Sequence, residues 1–485
     1  MNKSKLEFYL KLIAGPLIAL ICYLLNPFGL DEHGNSTICI GIWMITWWIF
    51  ESIPMPAVAL MPLLLFPTLQ ISNMAETAEA YSNPVIFLFM GGFMIGLAIE
   101  KWHLHKRIAL HIIRITGTSG KQIILGFILA CGFLSMWLSN TATTMMMFPI
   151  ALSVINVLKA HEPEGKNMNH FSLVLMLVIA YASNVGGMAT IIGTPPNIAF
   201  AAYIEKTYQY NISFSEWMLL CTPLAIVLLF SIYWVLTHWL FPIHIKHSED
   251  ASLYVRKELD ILGPMSSAEK RVLTIFSVTA LMWMSKDFIS NFIPFSIDDT
   301  QIALTGALAL FMIPSGSAAY PSNRLLVWSD TTNMAWGILL LFGGGITLAN
   351  ALEKAGIIQK IGEGLAGFSG ANLFLLVLAI VILSVFLSEL MSNVAQVIVF
   401  SPVLGSLADA LHINPLLLGI PMTLAASAAA MLPMGTPPNA IVFGSGHIPL
   451  KKMLKAGFVI NMVSIVLITL FCYFLLPAIM KNIQH

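Results

Sequence analysis

The sequence predicts an all-α polytopic membrane protein, with eleven transmembrane helices and two re-entrant hairpins arranged as an inverted repeat. Three observations carry that expectation. Of 485 residues, 58% are hydrophobic and only 10% are charged, too little charge to cover a soluble surface of that size. The apolar residues come in long uninterrupted blocks, as bilayer-spanning segments do. Three motifs also recur in the same order in two halves of the chain.

At about 20 apolar residues per crossing, spans are expected at roughly 8–26, 36–51, 54–70, 84–100, 171–204, 217–241, 271–291, 301–314, 333–352, 415–447 and 456–480. The basic start MNKSKLEFYLKL has no convincing small-residue cleavage site behind it, so the first apolar stretch reads as a helix and not as a removed signal peptide. Segments 171–204 and 415–447 are too long for one crossing and are interrupted by Gly and Pro. Blocks 122–158 and 372–408 are nearly long enough for two crossings but carry polar centres; each is two short spans or one re-entrant hairpin.

Charge arbitrates between these. With both blocks as hairpins and the N-terminus cytoplasmic, 19 of the 24 Lys and Arg fall inside. Only Lys206, Lys286, Lys354, Lys360 and Lys481 fall outside, so the positive-inside rule supports eleven spans, two hairpins and an external C-terminus. The acidic loops LDEHGNS and MAETAEAY fall outside as well. The long polar stretch 243–270 falls inside, as an interfacial amphipathic helix or a plain linker. A net charge of zero provides no basic stripe for nucleic acid. The five cysteines lie scattered in apolar segments, as small buried hydrophobes.

The repeat is specific. Phe89–Lys101 aligns with Phe342–Lys354 at an offset of 253, sharing Phe, two Gly, Ala, Glu and Lys. At that offset Ser135, Ser139, Asn140, Ala142 and Pro149 meet Ser388, Ser392, Asn393, Ala395 and Pro402. Gly193-Thr-Pro-Pro-Asn197 and Gly435-Thr-Pro-Pro-Asn439 are identical. The expected sidedness puts Glu100-Lys101 inside and Glu353-Lys354 outside, so the copies are inverted, as in many secondary transporters. The expected division is 1–83, N-terminal scaffold helices; 84–241, repeat one; 242–332, an interfacial arm and linking helices; 333–485, repeat two.

Four elements could carry chemistry. In each Gly-Thr-Pro-Pro-Asn, Gly193 or Gly435 lets the backbone leave helical geometry, and the two prolines remove N–H donors and free upstream carbonyls. Thr194 and Thr436 suit an N-cap, followed by Pro195 and Pro437 at the first helical positions. Freed carbonyls suit a cation and the new helix N-terminus suits an anion; a packing kink is the plainer reading. The tips, Ser135 to Thr144 and Ser388 to Gln396, bring hydroxyl, amide and carbonyl oxygens, hard neutral ligands right for an alkali cation. The plainer reading there is a capped turn. No Lys or Arg lies near the tips, so a bound dianion needs helix ends, donors and co-bound cations, which favours cation-coupled symport. Glu51 and Glu389 are the notable acids; Glu389 could tune or couple, or be structural. His103, His105 and His111 read as a solvated face.

At these residues the chain resembles the divalent anion:sodium symporter family, the INDY-type di- and tricarboxylate transporters. The likeness spans essentially the whole chain and rests on the two Ser-Asn tips, the two Gly-Thr-Pro-Pro-Asn breaks and Glu51-Ser-Ile-Pro54. It implies a homodimer in the plasma membrane (a bacterial inner membrane), with a scaffold and an elevator-type transport domain per protomer. It implies one sodium site at Ser135, Ser139, Asn140 and Gly193, and a second at Ser388, Asn393 and Gly435. Substrate carboxylates would meet Asn140, Thr141, Asn393 and Val394, with Thr194, Pro195, Thr436 and Pro437 nearby. The bacterial pattern has Thr where this chain has Val394, and a small residue or Thr where it has Gln396. The expectation is sodium-coupled uptake of a C4-dicarboxylate, with citrate, sulfate or exchange as alternatives. A channel lacks its continuous polar pore, and an enzyme its nucleophile–base pair.

Overall fold

Apolar sequence of this length leaves backbone N–H and C=O groups no partners but their own helices. The structure, a computed structural model, describes residues 3–27, 29–117, 119–161, 165–245, 249–290, 297–316, 324–356 and 372–483. Lys246, Lys360 and residue 291, all used in the expectations above, lie outside those. Among the described residues the regular structure is helical, with one isolated bridge, Pro314 to Arg324. Among the described residues seven helices are long and apolar enough to cross a membrane, and six shorter apolar ones accompany them.

Most expected spans appear as single helices: Lys3–Leu25, Glu32–Phe50, Pro84–Lys101, Ser267–Ser290, Asp299–Met312 and Trp336–Lys354. The expected 54–70 span is instead two pieces, Met55–Val58 and Met61–Thr68, because prolines at 54, 56 and 62 each remove a donor. Helices Phe214–Trp234 and Leu450–Leu470 close the two repeats, and each runs on into a π-helical turn, Val235–Leu240 and Phe471–Leu475. The polar stretch is not a plain linker: Glu249–Leu262 is a helix packed on Leu104–Thr116 and clamped there by Lys106–Glu258 at 2.8 Å. Arg107, buried beside it, pairs with Glu269 at 2.8 Å and donates to the Leu262 and Gly263 carbonyls. His105 is buried too and meets Ile99 O at 3.1 Å. Burial pushes its imidazole down to about 4, so that histidine is not on the solvated face expected of it. All five cysteines are buried and free.

Both polar-centred blocks are helix–turn–helix units. In the first, Gly120–Ser135 leads to a tip and Asn140–His161 leads away; in the second the arms are Leu373–Ser388 and Asn393–Ala410. Register shows that each doubles back. Gly120 lies against Phe171, and Gly132 against Gly186, so the first arm runs parallel to Lys166–Met188. The chain between them must return to the end where it began. In the second copy, Ser384 and Ser388 donate to Met422 O and Ala426 O, which makes that arm parallel to Leu416–Ala426 in the same way.

Repeat partners meet directly. Phe89 and Phe342 pack with ring centroids 5.5 Å apart. Lys101 pairs with Asp330 at 2.6 Å, and its counterpart Lys354 pairs with Glu76; each acid precedes the opposite copy of the helix. Helix Pro195–Tyr208 packs on the second arm of hairpin two, and Pro437–Phe443 packs on the second arm of hairpin one.

Candidate binding site at the two breaks

Helix Lys166–Met188 stops five residues before Gly193 and resumes at Pro195, with Thr194 extended (φ −146°, ψ 141°) at the N-cap position. Thr436 occupies the same place before Pro437 (φ −147°, ψ 151°). The motif asparagines, which sequence reasoning left without a role, close these breaks. Asn197 Nδ2 reaches Thr190 O at 2.8 Å and Gly187 O at 3.1 Å. Asn439 Nδ2 reaches Leu432 O at 3.2 Å and Ala429 O at 3.4 Å. Several of the freed carbonyls are therefore satisfied internally, and fewer are left for a cation than expected.

At tip one, oxygens converge on the Asn140 amide. One end of it lies 2.6 Å from Ser135 Oγ, 3.0 Å from Ser183 O and 3.3 Å from Gly193 O, and the other lies 3.4 Å from Thr194 Oγ1. With nitrogen toward the cluster, its two N–H groups face three acceptors. With oxygen toward the cluster, it accepts from Ser135 Oγ at 2.6 Å and lies beside the Ser183 and Gly193 carbonyls. Gly187 is required here, since a Cβ at that position would run into Asn140 Oδ1. Ser135, Asn140 and Gly193 come together as expected, and the Ser183 carbonyl joins them. Ser139 does not; its Oγ accepts from Ala142 N at 3.2 Å and caps the turn. Thr141 and Pro195 are half-buried beside the break.

Tip two is built differently. Ser388 donates to Ala426 O. Asn393 is half-buried and makes no side-chain hydrogen bond among the described residues, so no such bond joins Ser388, Asn393 and Gly435. Val394 packs on the apolar cluster of Met44, Trp48, Val58 and Ala59. Gln396 is buried and donates to Ser384 O at 3.1 Å, tying the two arms together. Pro437 is exposed. Glu389 accepts from Ala430 N (2.9 Å), Met431 N (2.8 Å), Leu432 N (2.8 Å) and Asn461 Nδ2 (2.8 Å). Repeat one also reaches into this break: Tyr181 donates to Ala430 O at 2.8 Å and Asn184 Nδ2 to Thr436 Oγ1 at 3.0 Å. Residues 183 and 184 thus bridge tip one and break two, one facing Asn140 and the other Thr436. No motif spacing announces this bridge.

A cavity of about 910 Å³ lies elsewhere, lined by Asp31, Glu76, Glu353, Lys206 and Lys354 among others. Its Lys354 and Glu76 pair with each other, and none of the tip residues lines it. The oxygen cluster, and not this vestibule, is the candidate site.

An apolar helical chain with two helix–turn–helix units packed against two interrupted helices has the build of a membrane transport protein. Its family profile, the sodium:sulfate symporter transmembrane region, matches residues 5–479; the chain belongs to that family, the divalent anion:sodium symporters, a family of transporters and not of enzymes. It is similar to the sodium-dependent dicarboxylate transporter SdcS of Staphylococcus saprophyticus, 40% identical over 475 residues, covering 97% of this chain and 91% of that one. SdcS of Staphylococcus aureus strain USA300 is 39% identical over 477 residues, with the same coverage. Among solved structures, YdaH of Alcanivorax borkumensis aligns with a TM-score of 0.60 over 88% of this chain and 96% of that one. MtrF of Neisseria gonorrhoeae aligns with a TM-score of 0.56 over 85% of each. At 13% identity these two are likenesses of fold alone.

Proposed function

We propose that this chain imports C4-dicarboxylates such as succinate, fumarate or malate across the plasma membrane, coupled to sodium, by an elevator movement of its hairpins and broken helices. The observation that carries it is the convergence of Ser135 Oγ, Ser183 O and Gly193 O on the Asn140 amide. A neutral oxygen set suits sodium. The adjoining helix starts at Thr194 and Thr436, with the donors Asn140, Thr141 and Asn393, suit carboxylates. The similarity to transporters named for sodium and dicarboxylate supports this substrate.

Two sodium sites are assigned, one per tip. Eleven spans, an N-terminus inside, a C-terminus outside and a homodimer complete the reading. The inverted repeat is supported by the Phe89–Phe342 contact and the reciprocal lysine pairs. It is also supported by Tyr208 meeting Asp409 at 3.0 Å, which sets the far end of broken helix one beside the base of hairpin two. The elevator reading draws on glycine contacts that helices Pro84–Lys101 and Trp336–Lys354 make with the hairpins and broken helices: Gly96 faces Leu138, Gly92 faces Ile192 and Gly345 faces Ile398.

Purified protein in proteoliposomes should take up labelled succinate only with inward sodium, and unlabelled fumarate and malate should compete. Uptake indifferent to sodium would sink the symport reading. The family description names sulfate, so stronger competition by sulfate or citrate would move the substrate to that alternative. Succinate-for-succinate exchange without a sodium gradient would make the protein an exchanger.

A further inference from the structure

We infer that Glu389 is the fixed charge that sets the affinity of the second cation site, a positioning residue with no counterpart at the first. This rests on the sodium-coupled reading above. The two breaks differ in length. Residues 189–194 separate the helices of the first and residues 427–436 those of the second. The two identical motifs are 242 residues apart, and at that offset residues 185–188, helical in repeat one, correspond to 427–430, which are unwound. An extra turn has opened, and its orphaned N–H groups are collected by one carboxylate.

All four bonds to Glu389 run from N–H to carboxylate oxygen, the acceptor-only pattern of the anion. No Lys or Arg pairs with it among the described residues. The carboxylate is buried, and a Cβ built on Gly435 would lie 2.8 Å from Glu389 Oε2. A cation held by backbone at Gly435 therefore sits within a few ångströms of an unneutralised negative charge, where water screens weakly. At the corresponding place repeat one has Met136, whose backbone oxygen accepts from Thr190. Tip one must hold its cation with neutral oxygens alone.

The test compares wild type, Glu389→Gln and Asn461→Leu as purified full-length protein. Each is read by labelled succinate uptake against external sodium, and by the sodium-induced rise in melting temperature without substrate. Glu389→Gln keeps the size and one acceptor oxygen. It should raise the sodium concentration for half-maximal uptake about tenfold, with the maximal rate at saturating sodium changed less than about threefold. Asn461→Leu removes a donor but keeps the charge; sodium affinity should hold or tighten while melting temperature falls. A Glu389→Gln variant that loses maximal rate at unchanged sodium affinity would make Glu389 a mere clamp. If that variant does not fold, weakened sodium affinity in Asn461→Leu overturns the proposal on its own. A wild type with neither sodium response would instead overturn the sodium-coupled reading.

Discussion

The two broken helices carry the same five residues, yet they solve the same problem differently. Break one is short, and Thr222 donates to its Ala189 O at 3.1 Å. Asn197 gathers its carbonyls, and Thr190 ties it to the tip through Met136 O. Break two is a turn longer; Asn439 gathers its carbonyls in the same way, and Glu389, Asn461, Tyr181 and Asn184 hold it from outside. The places of Glu389, Tyr181 and Asn184 in the other repeat hold Met136, Thr423 and Ala426, and Thr423 spends its hydroxyl on its own helix at Gly419 O. A duplicated motif thus fixes where a helix breaks, while its neighbours decide how far it opens. The first tip presents a ready set of neutral oxygens, and the second presents a buried charge.

The largest expected effect separates the tips directly. Asn140→Ala removes the amide on which three oxygens converge and should cut succinate uptake about 100-fold or more. Asn393→Ala, at a tip whose asparagine bonds no described side chain or backbone group, should cut it about tenfold. Both should elute as folded, monodisperse protein. Equal losses would restore two equivalent tips.

Packing gives the next contrast. A Cβ at Gly186 would strike the Gly132 carbonyl and lie 2.6 Å from its Cα, where two regular helices run side by side. A Cβ at Gly457 would strike Ala430 and Met431 in the unwound turn. Rigid helices have to separate, at about 1–3 kcal/mol, whereas an unwound segment has room to shift. Gly186→Ala should therefore lower the detergent melting temperature more than Gly457→Ala does. The reverse order would mean that break two is the stiffer one.

Smaller still is Asn461→Ala. It strips one donor from Glu389 and one acceptor from Ala430 N, and buried polar contacts between membrane helices average about 0.6 kcal/mol. A melting shift well beyond that would show that the carboxylate network acts as a unit.

Much of this was legible in the sequence, for physical reasons. Gly-Thr-Pro-Pro has few conformations available, so both helices restart after Thr194 and Thr436, though only Thr436 caps its helix with its side chain. Long apolar blocks have no fold but helix, and the polar centres at Ser135–Thr144 and Ser388–Gln396 mark the turns. The bridges were not legible. Ser183 contributes a backbone oxygen, which no residue type advertises, and Tyr181 and Asn184 meet partners about 250 positions away. His105 and Arg107 look like surface charge along the chain and prove buried, because a second polar helix packs over them.

The smallest effect bears on the lopsided substrate face. Thr141 and Val394 are repeat partners, and the missing hydroxyl at 394 suggests a lost substrate donor. Val394 packs on the Met44, Trp48 and Ala59 cluster, so its methyl groups serve a contact between tip and framework. Thr is close in size but brings a hydroxyl into that apolar contact. Val394→Thr should then leave the succinate KM within about threefold and act, if at all, on the maximal rate, because the packed contact is what changes. Thr141→Val, at the half-buried first tip, should raise KM about tenfold, the usual cost of a lost donor to a charged group. A tenfold fall in KM for Val394→Thr would put position 394 on the substrate after all and make the two tips chemically alike.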